Sequence, residues 1–228
     1  MEKSVLVFIG ILSVAFLFAQ KISKVTLANN SNLEHITFEL NDRVLLNISK
    51  VGKVINWGVD DYIGPGENYS ERLATYVGRV EYFSAYDNEA FQGKVKYIGS
   101  TLFTYYPSYE SDLLKGKIKN IGQYSFNYNG IYDDASISGN IKIIGDIAIT
   151  WFTSLDNEAF KGKLKSLGAT LFTYYSSFED AAYRGKIKSI DKVAFTYYSS
   201  FDRREYRGAM KSGTPLSMIS GVKYFAKN

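Results

Sequence analysis

Residues 162–207 read GKLKSLGATLFTYYSSFEDAAYR and then GKIKSIDKVAFTYYSSFDRREYR, two blocks of 23 residues that match almost position for position. The same frame extends towards the N-terminus. Glycines stand at Gly93, Gly116, Gly139, Gly162, Gly185 and Gly208, with no insertion or deletion between them. A fixed period of ~20–50 residues marks a stacked array of identical small units.

Counted from the glycine, large apolar residues recur at six positions. Position 3 is Val95, Ile118, Ile141, Leu164 and Ile187; position 6 is Ile98, Ile121, Ile144, Leu167 and Ile190. Position 11 is Phe103, Phe126, Ile149, Phe172 and Phe195; position 13 is Tyr105, Tyr128, Trp151, Tyr174 and Tyr197. Position 17 is Tyr109, Tyr132, Leu155, Phe178 and Phe201; position 22 is Leu114, Ile137, Phe160, Tyr183 and Tyr206. Tyr183, Gly185 and Ile187 alternate with Arg184, Lys186 and Lys188, and Val193, Phe195 and Tyr197 with Ala194, Thr196 and Tyr198. A period of two in residues of high β propensity predicts two strands, each with one buried face. Gly168 or Asp191 between them predicts a tight turn, and Ser199 to Arg204 a loop to the next unit. The fold class is therefore all-β, with tandem β-hairpin repeats in an elongated antiparallel meander or a solenoid-like sheet.

A single unit buries about five large side chains at ~1.5–3 kcal/mol each, whereas fixing its backbone costs ~1–2 kcal/mol per residue. Stability must come from neighbours. Residues 78–207 form the array, one shortened unit followed by five full ones. Residues 20–77 are predicted as an N-terminal β cap with a diverged unit from Gly52 to Val77, interrupted by Gly64-Pro65-Gly66. Within that cap, Ile36 to Leu40, a turn at Asn41-Asp42 and Arg43 to Ile48 predict a hairpin. Residues 208–228 are predicted as a C-terminal cap in which Val222 to Phe225 closes the sheet edge.

Residues 1–19 read as a secretory signal peptide. Lys3 precedes the apolar run Val5 to Phe18, and Ala19 is a small residue at the cleavage point. An uncleaved anchor is the other reading of this stretch. The expected location is secreted, periplasmic or cell-surface. There is no cysteine, which excludes disulfides, thiolate metal sites and a lipidated cysteine. The net charge of +4 is too small for a dedicated nucleic-acid binder, so no nucleic-acid partner is expected.

The opening Tyr183-Arg184-Gly185-Lys186-Ile187, repeated as Tyr206-Arg207-Gly208-Ala209-Met210, resembles that of the MORN repeat family, as do the period and the hairpin layout. The second-strand Gly-x-Gly of that family is replaced here by Ala194 and Thr196, or by Leu171 and Thr173. The resemblance implies a scaffold with an elongated binding sheet, of a kind often associated with lipid membranes.

Three features are candidates for function. Lys94, Lys117, Lys163 and Lys186 at position 2, with further lysines at position 4, form a cationic ladder suited to an anionic polymer or a membrane surface. Tyr106, Phe152, Tyr175 and Tyr198 at position 14 are predicted to form an exposed aromatic stripe suited to glycans or peptides. The loops Tyr86 to Phe91 and Leu155 to Phe160 carry clustered carboxylates, which suit turn formation, calcium or acid–base catalysis. The single histidine, His35, has no nucleophile motif around it, and repetition opposes the one asymmetric constellation that catalysis needs. The sequence thus reads as a non-enzymatic structural or binding module for a polysaccharide, an envelope protein or an anionic surface, with no cofactor and no metal. A carbohydrate-active enzyme using loop carboxylates is the alternative.

Overall fold

The computed structural model describes residues 20–60 and 72–227. The leader at residues 1–19 and the Gly64-Pro65-Gly66 interruption lie outside the described residues.

The N-terminal strands are β1 (Lys21–Ala28), β2 (Asn32–Glu39), β3 (Val44–Ile48), β4 (Val54–Asp60), β5 (Leu73–Ala74) and β6 (Val80–Tyr82). Four hairpins follow: β7 (Val95–Ile98) with β8 (Thr101–Tyr105), β9 (Ile118–Ile121) with β10 (Tyr124–Tyr128), β11 (Ile141–Ile144) with β12 (Ile147–Trp151), and β13 (Leu164–Leu167) with β14 (Thr170–Tyr174). The fifth unit has β15 (Ile187–Ile190), then β16 (Val193–Ala194) and β17 (Thr196–Tyr197). The chain ends with β18 (Met210–Ser212), β19 (Leu216–Ile219) and β20 (Val222–Ala226). Each hairpin turns at position 7, where Gly99, Gly122, Gly145 and Gly168 have φ of 54–60° and Asp191 has 48°. A two-residue hairpin needs this left-handed backbone to match strand twist, which explains the recurring glycine.

Strands β6 to β16 form one antiparallel sheet in strict sequence order, the expected meander. Its inner face carries positions 3, 6, 11 and 13. Phe103, Phe126, Ile149, Phe172 and Phe195 are at most 2% exposed. At position 13 every unit shifts register, as between Thr173 and Tyr174. The ring at that position reaches back to the first strand of its own unit. Tyr105, Tyr128 and Tyr174 donate their hydroxyls, and Trp151 its indole N–H, to the position-3 carbonyl of their own unit at 2.7–2.9 Å.

The apolar face is closed by a second sheet of seven strands, ordered β19-β20-β1-β2-β3-β4-β5. The hairpin predicted at residues 36–48 forms, but it lies across the face of the array and not at its end. Phe38 packs on Tyr124 and Phe126, with ring centroids 6.1 and 5.7 Å apart. Tyr224 packs on Phe172 and donates its hydroxyl to Thr170 Oγ1 at 3.1 Å. Turns of this cover sheet also reach the array's backbone, because the carbonyls of Gly52, Lys50 and Asn30 accept from the amides of Ile118, Ile141 and Ile187. Residues Val222 to Phe225 do not close the edge of the array. They lie in β20, which pairs parallel with β1. The two ends of the described chain therefore meet inside one sheet, and the molecule is a β-sandwich of a repeating and a non-repeating layer.

Candidate functional site

Each unit leaves its second strand through a loop built to one plan. The position-18 amide donates to the position-15 carbonyl, as from Asp87 to Ser84, Glu110 to Pro107, Asp156 to Thr153 and Asp202 to Ser199. This closes a four-residue turn with position 17 at its tip. Where position 18 is aspartate, its carboxylate accepts the position-15 amide in return, at 2.6–2.7 Å for Asp87, Asp133, Asp156 and Asp202. Adjacent turns are also tied together. Asn88, Asp134, Asn157 and Asp180 at position 19 accept the amides of Ser108, Ser154, Ser177 and Ser200 in the following unit. Between the second and third turns the equivalent pair is Ser111 and Ile131, which breaks the series.

These turns hold six side chains in the open. Tyr86, Tyr109, Tyr132, Leu155, Phe178 and Phe201, spaced by 23 residues, are 84–101% exposed. Scattered surface apolar residues are ordinary, but a row in register is not. One unit advances by two strands, so the tips stand about 10 Å apart. Sequence reasoning grouped position 17 with the recurring apolar positions and assigned it no role. The available signal was its place in a Ser- and Asp-rich turn, outside either alternating run.

The residues singled out from sequence occupy other settings. The exposed stripe expected of Tyr106, Phe152, Tyr175 and Tyr198 is not seen, since all four are half-buried. The strand bends into its loop at that point, so each ring leans on its neighbours. Tyr106 and Tyr175 donate their hydroxyls to the carbonyls of Phe126 and Phe195 in the next unit, both at 2.9 Å. Position-4 lysines lie over these rings, Lys119 over Tyr106, Lys165 over Phe152, Lys188 over Tyr175 and Lys211 over Tyr198, at 5.2–5.7 Å from the centroids.

The position-2 lysines form a staple as well as a ladder. Lys94, Lys117, Lys163 and Lys186 each donate to the carbonyl of the glycine that opens the next unit, and each lies over its own unit's position-13 ring. Burial lowers the pKa of all four, that of Lys163 to about 8, and the charge of Lys53 adds to the effect at Lys94 and Lys117. At one junction Asn129 stands in place of the position-14 ring and Asn140 in place of the position-2 lysine.

The loop aspartates at positions 18 and 19 are held as turn acceptors, whereas Glu89 pairs with Lys115 at 2.9 Å. Hydrogen bonds from Ser84 keep Asp87 below the usual carboxylate range, and those from Ser136 and Ser154, Ser200 and Ser199 do so for Asp134, Asp180 and Asp202. A general acid needs the opposite shift. Among the described residues no group of three His, Cys, Asp or Glu is placed to hold a metal ion. His35 is buried within the cover sheet.

A family model described as BspA type leucine rich repeat region matches residues 82–202 in six copies, slightly more than half of the chain. Six copies agree with one shortened and five full units, and with the six exposed turn tips. The match supports a repeat protein but not the MORN family that the opening, the period and the hairpin layout resemble. No curated protein and no solved structure matches the chain.

Proposed function

Since the chain belongs to the BspA-type leucine-rich repeat family, we propose that it is an exported, non-enzymatic binding module that engages a partner protein along the turn edge of its array. The single observation carrying this reading is the row of six exposed apolar tips. Their turns are fixed by hydrogen bonds before any partner arrives, so little ordering entropy is lost on docking. Aromatic anchors on a rigid edge are the usual source of affinity between proteins. Carboxylates flank the tips, among them Asp87, Glu110, Asp156, Glu179 and Asp202. The partner surface is accordingly apolar and basic, which disfavours an anionic membrane or polysaccharide at this edge. The apolar leader at residues 1–19 supports export. The position-2 lysines and position-14 rings support the edge indirectly, by tying each unit to the next. The glycosidase alternative draws no support from aspartates engaged as turn acceptors or from Glu89, which is paired with Lys115.

The test replaces Tyr109, Phe178 and Phe201 by serine in the full chain and compares its binding with wild type across a panel of purified basic and acidic surface proteins. Loss of the wild-type interactions with an unchanged unfolding midpoint supports the proposal. Retention of all of them, or binding to anionic vesicles that survives the substitutions and weakens steeply with salt, refutes it.

A further inference from the structure

A second site lies away from the turn tips, beside strand β4 of the cover sheet. A cleft of about 610 Å³ opens there between the β3–β4 turn, strand β4 and the loops of the first two full units. That volume falls in the ~300–1,000 Å³ range of small-ligand sites. Three features point to its occupant.

The first is charge. Lys53, Lys94, Lys115 and Lys117 all line the cleft, against the one carboxylate of Asp112 among the described residues. Lys115 is paired with Glu89 at 2.9 Å, whereas Lys53 acts on Lys94 and Lys117 as a like charge. The ammonium groups of Lys94 and Lys117 each spend one proton on a glycine carbonyl and keep two for a ligand.

The second is an interruption in the backbone pattern. The position-3 amides of Ile118, Ile141 and Ile187 are each met by a turn carbonyl of the cover sheet. Among the described residues no such carbonyl reaches Val95, which lines the cleft. Leu164 also lacks one, and there Lys163 is tied to Ser31 Oγ at 2.7 Å.

The third is an aromatic wall. Trp57 and Tyr82 line the same cleft with ring centroids 6.5 Å apart, and Tyr82 and Ile55 are half exposed. Flat rings stack on the apolar faces of sugar rings, and ammonium groups beside them take a carboxylate.

We infer that this cleft binds an acidic saccharide, a uronic-acid type of residue whose ring stacks on Trp57 and Tyr82 and whose carboxylate is taken by Lys53, Lys94 and Lys117. The site is independent of the turn-tip row and stands or falls without it.

The experiment titrates the full chain with tetragalacturonate, its methyl ester, a hyaluronate hexasaccharide and inorganic phosphate, followed by calorimetry and by tryptophan emission. Trp151 is buried, so a change in emission on binding reports Trp57. The expected result is saturable binding of at least one acidic oligosaccharide with altered emission, weakened about tenfold by Lys53→Gln, the order of one charge-assisted contact. Trp57→Ala is expected to weaken it at least as much, while Phe178→Ser leaves it unchanged. Lys53 is exposed, so Lys53→Gln keeps the fold even if Trp57→Ala does not. Methyl ester binding as tightly as the acid, phosphate displacing the sugar at equal concentration, indifference to Lys53→Gln, or no saturable binding by either acidic oligosaccharide each overturns the inference.

Discussion

Phe172 and Phe178 lie six residues apart in one repeat, and both recur with the same period. Phe172 is 2% exposed and Phe178 is 94% exposed. Phe172 stands mid-strand on the face that the cover sheet closes, under Tyr224. Phe178 stands at the tip of a turn that projects beyond the edge of both sheets. Recurrence therefore marks a position that every unit needs, and burial depends on what lies across from it. The inner row holds the molecule together, and the outer row is free for a partner.

This contrast is open to direct attack. The largest effect should come from Phe172→Ala, at ~3–5 kcal/mol for a large-to-small change in a closed core. Denaturant unfolding measures it, and a loss below ~1 kcal/mol would remove the distinction between the two rows. Next comes Tyr174→Phe, which strands the buried Leu164 carbonyl that the hydroxyl now serves at 2.9 Å. The expected loss is ~1–3 kcal/mol, and no loss would mean that the hydroxyl is not what satisfies that carbonyl.

Lys163 sharpens the same boundary through pH. Burial brings its pKa down to about 8, below its ordinary value. In the window between these two values the unfolded chain holds the proton and the native chain does not. This contribution to stability therefore rises with pH across that window, and the cost of burying the charge is fully present below it. The unfolding midpoint should climb from about pH 8 towards 10.5, and Lys163→Met should flatten the climb. Equal slopes in the two proteins would contradict the burial of the Lys163 ammonium. The smallest effect is expected from Phe178→Ser, within ~0.5 kcal/mol of wild type. A substantial loss there would show that the turn tip serves stability after all.

The hairpins, their order and their inward residues were legible in the sequence because the cues are local. Alternation fixes the face, and a residue with positive φ at position 7, glycine or Asp191, fixes the turn. The cover sheet was only half legible. Its hairpin could be read at residues 36–48, but nothing local says that it folds back across the array. Tyr175 was misjudged because strict alternation assumes a straight strand, and the chain bends between Thr173 and Tyr174. Phe178 could not be assigned from pattern alone, since its exposure depends on the absence of a neighbour. The lysine staples were hidden because a lysine that alternates outward can still curl back over a ring.

The parallel pairing of β1 with β20 carries a further consequence. Open stacks of modules tolerate gain or loss of a member, since each one meets only the next. Here a lid of fixed width, stitched from both extremities, rests on successive members from Thr101 to Ile187. Duplicating a block of 23 residues would leave one member bare or pull the stitched strands apart. Evolution along this lineage is therefore expected to keep the tally of modules constant, with change at the projecting tips limited by the partner and not by the fold.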